Sequence, residues 1–263
     1  MPSIPVDILR LILNHVDKAD LLTVCSLNKI CCSCSQDVLY RDIQIYELRK
    51  GTQVCQTLAR STHLARRVRS FDISNNFKLK RLCNYPELST SLQNMTFLRS
   101  LTLYSFPYKF GFLGGCTFKL VSFACRYFGS KPLHQFLLSQ PSLTNVGFGF
   151  SGFSGFPRDI VDSPEFEMTF LPNVTRVSAE FSLLAQIIPG RPVNEVKCIG
   201  CASVADSVDL SFFTRSTAPI HKILINYTYL YPESRLLASI FPSLTHLNIY
   251  VGQLNFVRGP DFF

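Results

Sequence analysis

The chain has 263 residues, 47% of them hydrophobic and only 17% charged. That is enough for a substantial core in one or two domains, and it excludes a disordered composition. No basic segment precedes an apolar run at the start, and the longest uncharged stretch, Pro132 to Pro157, is broken by Gln135, Gln140, Pro141, Asn145 and several Gly and Ser residues. This predicts neither a signal peptide nor a membrane-spanning helix, and hence an intracellular protein, cytoplasmic or nuclear. The ten cysteines then read as reduced thiols behaving as small core residues rather than as disulfides. The net charge of +8 is uneven, because residues 46–81 carry nine Lys and Arg against Glu47 and Asp72.

Taken in chain order, the first predicted element is a helix over Ile4 to Val16. Ile4, Ile8, Ile12 and Val16 recur at helical spacing, with Leu9 and Leu11 beside the stripe. Ser3 suits the cap, Pro5 the first turn, and Asp7 the positive end of the helix dipole. After a turn at Asp17 to Asp20, with Asp20 as N-cap, a second helix runs from Leu21 to Ser26, and a third from Lys29 to Ser35. Apolar faces this wide cannot all be satisfied within some forty residues, so another domain or a partner must cover part of them.

These residues resemble the F-box pattern. The agreement runs through Ile4-Pro5, Asp7, Ile8, Ile12, Val16, Asp20-Leu21-Leu22, Leu27-Asn28-Lys29 and Leu39-Tyr40. Two departures stand out: Ile4 takes the place of the usual leading Leu, and Cys31 and Cys32 stand where the third helix often carries an aromatic. The resemblance implies that residues 1–45 dock on the Skp-type adaptor of a cullin-RING ubiquitin ligase through Pro5, Ile8, Leu9, Ile12, Leu21 and Leu22. The alternative is a helical cap on a repeat domain, with the same side chains packed internally.

Residues 46–66 read as a basic helical linker. Arg60, Arg66, Arg67 and Arg69 fit a solvated helix face. Two other readings are a nucleic-acid or anionic-lipid site, for which interleaved aromatics are missing, and a patch for a phosphorylated substrate tail.

From residue 67 to 263 the chain repeats itself. A template of apolar, two others, apolar, one other, apolar fits Val68/Phe71/Ile73, Leu98/Leu101/Leu103, Leu120/Phe123/Cys125, Leu143/Val146/Phe148, Val174/Val177/Ala179, Val193/Val196/Cys198, Ile220/Ile223/Ile225 and Leu244/Leu247/Ile249. Most of the spacings suit leucine-rich repeats, whose period is about 20–29 residues. Leu133 to Ser139, Phe181 to Ile188 and Glu233 to Phe241 read as helices between strands, and Pro-Ser-Leu-Thr recurs at Pro141 and Pro242, where Pro ends a helix before a strand. The fold class expected is α/β (α+β): a short helical F-box, then a solenoid of about eight strands in a curved parallel sheet. Repeats this degenerate resemble those of large fungal F-box families. Residues alternating with the buried set face the open side, and Arg176, Lys197, Lys222 and His246 among them are the predicted contacts to a protein substrate. Phe256, Phe262 and Phe263 are poor material for capping the last repeat, so the tail is expected either to fold back over it or to mark a truncated chain.

No catalytic constellation emerges, so no enzyme, cofactor or metal is predicted. Cys198-Ile-Gly-Cys201 supplies half a zinc site with no second pair, and the template makes Cys198 a core residue. Cys25, Cys31, Cys32 and Cys34, conceivably joined by Cys55 or His63, fall in helices where small apolar side chains pack. Gly149 to Phe156 lacks the Lys and the helix start of a phosphate loop and reads as a Gly/Phe/Ser loop. Two other functional classes stay open: a repeat scaffold unconnected with ubiquitin, and a nucleic-acid binder using Arg60 to Arg69.

Overall fold

The computed structural model describes residues 4–73, 86–104, 110–126, 130–149, 170–199, 210–226 and 237–250. The expectations for Ser3, for the Gly/Phe/Ser segment after Gly149, for Cys201, for residues 233–236 and for the C-terminal tail lie outside them. The protein is of the mixed α/β kind, with short parallel strands, and it divides into two compact units, Met1–Thr102 with Phe112–Phe118, and Leu103–Gly111 with Lys119–Phe263.

The first unit opens with α1 (Val6–Leu13), α2 (Lys18–Cys25) and α3 (Lys29–Leu39). Leu13, Leu21 and Cys34 are fully buried among them, with Leu9, Val16, Val24, Val38 and Leu39 packed around. Helix α2 starts earlier than expected: its N-cap is Asp17, and Asp20 lies inside the first turn, where a carboxylate still suits the dipole. Helix α3 is capped by Asn28, whose Oδ1 accepts from the Cys31 N–H at 2.8 Å. It runs on to Leu39 because Cys34 and Val38, one turn apart, both pack inward. Asp37 ties the helices together, pairing with Arg10 at 3.2 Å and with Arg67, which also donates to the Ser33 carbonyl at 2.7 Å.

Strand β1 (Asp42–Ile45) follows and pairs in parallel with β2 (Ser70–Ile73), Ile43 opposite Phe71 and Ile45 opposite Ile73. Between them α4 (Leu48–Arg60) buries Gly51, Cys55 and Leu58, a stripe at helical spacing, and the four-residue α5 (Thr62–Ala65) buries Leu64 and Ala65. Helix α6 (Pro86–Asn94) packs on α4 with Leu88, Ser91 and Leu92 buried. Asn94 closes the end of α4 by donating to the carbonyls of Leu58 and Ala59 at 3.1 and 3.0 Å. Strand β3 (Ser100–Leu103) begins where Arg99 and Ser100 N–H groups both reach the Arg69 carbonyl, as Arg69 and Ser70 reach Arg41.

Asp72 on β2, like Ser35 and Glu87 in the same unit, holds a buried side-chain oxygen without a hydrogen-bond partner among the described residues. Burial raises the Asp72 pKa from 3.8 to about 6. A carboxyl whose folded pKa is raised stabilises the fold at low pH, and that contribution is lost as pH rises from about 4 through about 6. Asp72→Asn is therefore expected to add about 2 kcal/mol of stability at pH 8 and almost nothing near pH 4. Urea titrations of both proteins at the two pH values measure the difference.

The second unit repeats one step. Strands β4 (Ser122–Cys125), β5 (Asn145–Phe148), β6 (Arg176–Ala179), β7 (Glu195–Cys198), β8 (Lys222–Asn226) and β9 (His246–Tyr250) pair in parallel in chain order. Helices α7 (Lys131–Leu138), α8 (Phe181–Ile187) and α9 (Leu237–Ile240) and a 3₁₀ turn at Ser211–Arg215 fill the crossovers. From β4 to β8 all three apolar positions of the template are buried, down to Cys198. Each large side chain of this kind contributes roughly 1.5–3 kcal/mol by leaving water. Phe181, Phe212, Phe213 and Phe241 join in one aromatic cluster with centroids 4.2 to 6.5 Å apart. At β9 the pattern opens, and Leu247 and Ile249 are 39% and 43% exposed. No helix among the described residues is long and apolar enough to cross a membrane.

Candidate interaction surfaces

Two surfaces stand out, one in each unit. On the helices of the first, the inner stripe goes to the small core and leaves the outer one in water. Ile4, Ile8, Leu11 and Ile12 of the α1 segment, Leu22 of α2, and Leu27 and Ile30 near α3 are all exposed. Exposed apolar groups grouped like this mark a place where something docks.

Of the residues singled out from the sequence, Pro5, Ile8, Ile12 and Leu22 lie on the outside, and Leu9 is half-buried against the core. Leu21 needs correction. It is 0% exposed while its neighbour Leu22 is 64% exposed. Adjacent helical positions point about 100° apart, so only one of the pair can face outward, and Leu21 is the one that holds α2 to α1 and α3.

Among the described thiols of this unit, Cys25, Cys31, Cys32 and Cys116 are half-buried. Cys34 and Cys55 are buried, and burial pushes Cys55 up to about 11. Cys25 is raised as well, first by burial, with Ser35 and Cys32 as its side-chain neighbours. In the second unit Cys198, in the third template position, is buried and its pKa is raised for the same reason. No group of three or more His, Cys, Asp or Glu side chains placed to hold a metal ion occurs among the described residues.

The basic stretch is partly committed. Arg67 is held by Asp37 and Ser33, and Arg69 lies over the Phe97 ring at 4.9 Å from its centroid. Arg60 and Arg66 are exposed.

The second surface is the strand face away from the core of the second unit. Parallel register places Asn145, Arg176, Glu195, Lys222 and His246 side by side on β5 to β9. With Thr144, Thr175, Asn194, His221 and Thr245, one residue earlier on each strand, they line a cavity of about 550 Å³. Three of the four substrate-contact candidates, Arg176, Lys222 and His246, thus share one site. Lys197 lies in the next row, between Ser178 and Leu224, and with Arg176 and Lys222 it lines a smaller adjoining hollow. Burial lowers the Lys197 pKa. Arg176 and Glu195 form an ion pair at 3.2 Å.

Some of this escaped the sequence reading. Strand β1 carries the same template, with Tyr40, Ile43 and Ile45 in its three apolar places, but the segment doubled as the close of the helical module. The recurring Pro-Ser-Leu-Thr already carried Thr144 and Thr245, but Thr175, Asn194 and His221, which line the same cavity, were not among the predicted contacts.

In fold and surface this is a mixed α/β protein with parallel strands, an exposed apolar helical face and a polar strand face. In comparisons with known proteins no family model matches the chain, and no curated protein does so.

Proposed function

We propose that the chain is a substrate-recognition adaptor of an SCF-type ubiquitin ligase, a non-catalytic subunit. In this reading residues 1–45 are an F-box that docks on the Skp-type adaptor and through it a cullin-RING ligase. The strands that follow are degenerate leucine-rich repeats forming a curved solenoid, whose polar face binds the protein substrate. One observation carries the reading. Four of the six side chains that the F-box-like pattern assigns to docking, Pro5, Ile8, Ile12 and Leu22, lie within the exposed apolar face of the first two helices. Burying three aliphatic side chains of this size against a partner yields roughly 1.5–3 kcal/mol each before the costs of association.

The test is co-purification. Wild-type chain expressed with a Skp-type adaptor should retain it through affinity purification. Ile8→Asp combined with Leu22→Asp should lose it while the melting temperature stays within about 2 °C, since both positions are exposed. A wild-type protein that never retains the adaptor ends the proposal.

A further inference from the structure

The template that sets the strands also sets a column of side chains just ahead of them. Its second place, directly after the first apolar residue, is arginine in all three repeats of the first unit: Tyr40-Arg41-Asp42, Val68-Arg69-Ser70 and Leu98-Arg99-Ser100. In the second unit the place passes to Val121, Thr144 and Thr175, and no further Arg or Lys takes it. Backbone hydrogen bonds put the three arginines in register. The Arg69 and Ser70 N–H groups reach the Arg41 carbonyl at 2.8 and 3.0 Å, and the Arg99 and Ser100 N–H groups reach the Arg69 carbonyl at the same two distances. Neighbouring strands lie about 4.8 Å apart, so the column from Arg41 to Arg99 spans roughly 10 Å.

These guanidinium groups are only lightly committed. Arg99 is exposed, and its side chain makes no hydrogen bond or ion pair among the described residues. Arg41 is exposed and pairs with Asp42 at 3.5 Å. Both side chains of that pair are more than half in water, where such a contact exchanges at little cost. Arg69 donates through Nη1 to the carbonyls of Arg66 and Val68 at 2.7 and 3.4 Å. This brings Arg66, itself exposed, beside the column. Four arginines thus outweigh the Asp42 carboxylate, and guanidinium keeps its charge at any pH a protein meets.

Phe97 completes the column. The Arg69 guanidinium lies over its ring, 4.9 Å from the centroid, and holds it in place. The side chain is still 57% exposed. The basic stretch Arg60 to Arg69 has no interleaved aromatic in sequence, and the fold supplies one from the next repeat.

A line of guanidinium forks calls for a line of anionic oxygens, and an open aromatic ring calls for a flat partner. An acidic peptide brings the oxygens without the flat partner. A single nucleic-acid strand brings both, with one phosphate per nucleotide, so about three nucleotides would engage the column. We propose that the column Arg41, Arg69 and Arg99, with Phe97, binds single-stranded nucleic acid. The arginines take backbone phosphates, and a base stacks on the Phe97 ring. The site goes beyond the adaptor reading and does not depend on it.

The experiment titrates the full chain into fluorescein-labelled oligouridine of about twelve nucleotides at about 50 mM salt, read by fluorescence anisotropy. Hexaglutamate and phosphatidylserine vesicles serve as competitors. Oligouridine should bind, and the logarithm of its affinity should fall against the logarithm of salt with a slope of about −2 for three phosphate contacts. Arg41→Gln/Arg99→Gln changes two exposed side chains. It should weaken binding about a hundredfold, tenfold for each contact, and reduce the slope to about −0.7. Arg41→Lys/Arg99→Lys should keep the slope, because it keeps the charge. Phe97→Ala should weaken binding about tenfold at unchanged slope, and Phe97→Tyr should restore it. Lys18→Gln/Arg49→Gln removes two exposed cations away from the column and should change affinity by less than about twofold. Far-ultraviolet circular dichroism checks that each variant folds, and where a double variant does not, the single Arg99→Gln is read instead. Absence of oligouridine binding overturns the proposal, and so does an equal loss in Arg41→Gln/Arg99→Gln and Lys18→Gln/Arg49→Gln. Binding that Phe97→Ala leaves unchanged overturns the assignment to nucleic acid. Hexaglutamate or vesicles that bind more tightly through the same arginines overturn it in favour of an acidic protein or a membrane surface.

Discussion

Arg191→Ala is expected to lower stability by about 4 kcal/mol, measured as a loss in urea midpoint at unchanged slope. Arg191 is 1% exposed. Its Nε donates to the Phe170 carbonyl at 2.7 Å, and Nη1 donates to the carbonyls of Ile187 and Pro189 at 2.7 and 2.9 Å. Ile187 is the last residue of α8, so the guanidinium satisfies a carbonyl that the helix itself leaves unpaired and sets a cation at the negative end of the dipole. Gly190, at φ +75°, supplies the left-handed turn that sends the chain back over the helix end. Alanine would leave three carbonyls without their donor, at roughly 1–3 kcal/mol each where water cannot reach, and would open a hole as well. Burial lowers the pKa of Arg191, yet guanidinium remains protonated. Lysine keeps the charge but places its donors on a single nitrogen, which cannot reach both the Phe170 and Ile187 carbonyls, so Arg191→Lys should recover about half the loss.

Nothing in the sequence marks Arg191 as a bracing residue. Gly190-Arg191-Pro192 reads as a polar turn, and the groups that Arg191 binds are backbone carbonyls, one of them 21 residues away. Strands are legible for the opposite reason. Burial alternates along β2, β3, β6 and β7, so Phe71, Val177 and Val196 could be placed from local order alone, and a cysteine at position 198 could be assigned to the core because the template required an apolar group there. Strand β1 shows the limit of that method, because a Tyr40/Ile43/Ile45 pattern that satisfies the template also satisfied the end of a helical motif. The cavity was legible in part. Alternation put Arg176, Lys222 and His246 on one face, whereas the Ser243 carbonyl that lies 3.0 Å from His221 Nδ1 is 22 residues away in the chain and is brought beside the ring only by the fold. Helix faces were the least certain. An eight-residue helix with Leu21 and Leu22 adjacent offers two stripes of equal hydrophobicity, and the choice between them is made by Leu13 and Cys34 on the neighbouring helices.

That choice gives the sharpest pair of variants. Leu21→Ala should cost about 3 kcal/mol, since it removes a fully buried side chain from a cluster whose other buried members among the described residues are Leu13 and Cys34. A core this small has few side chains able to close over the hole. Leu22→Ala should change stability by less than about 0.5 kcal/mol, because Leu22 is already 64% in water. Hydrogen exchange of the α1–α3 amides reads the local opening in each variant. Under the proposed function the order reverses for adaptor capture once folding is accounted for. Leu22→Ala should weaken capture at full foldedness. Leu21→Ala should weaken it only as far as the helices open, and lowering the temperature or adding a stabilising osmolyte should restore it. If Leu21→Ala abolished capture while leaving exchange on α1–α3 unchanged, Leu21 would be a docking residue, and the helical core would have to be held by Leu13, Cys34 and their half-buried neighbours without it.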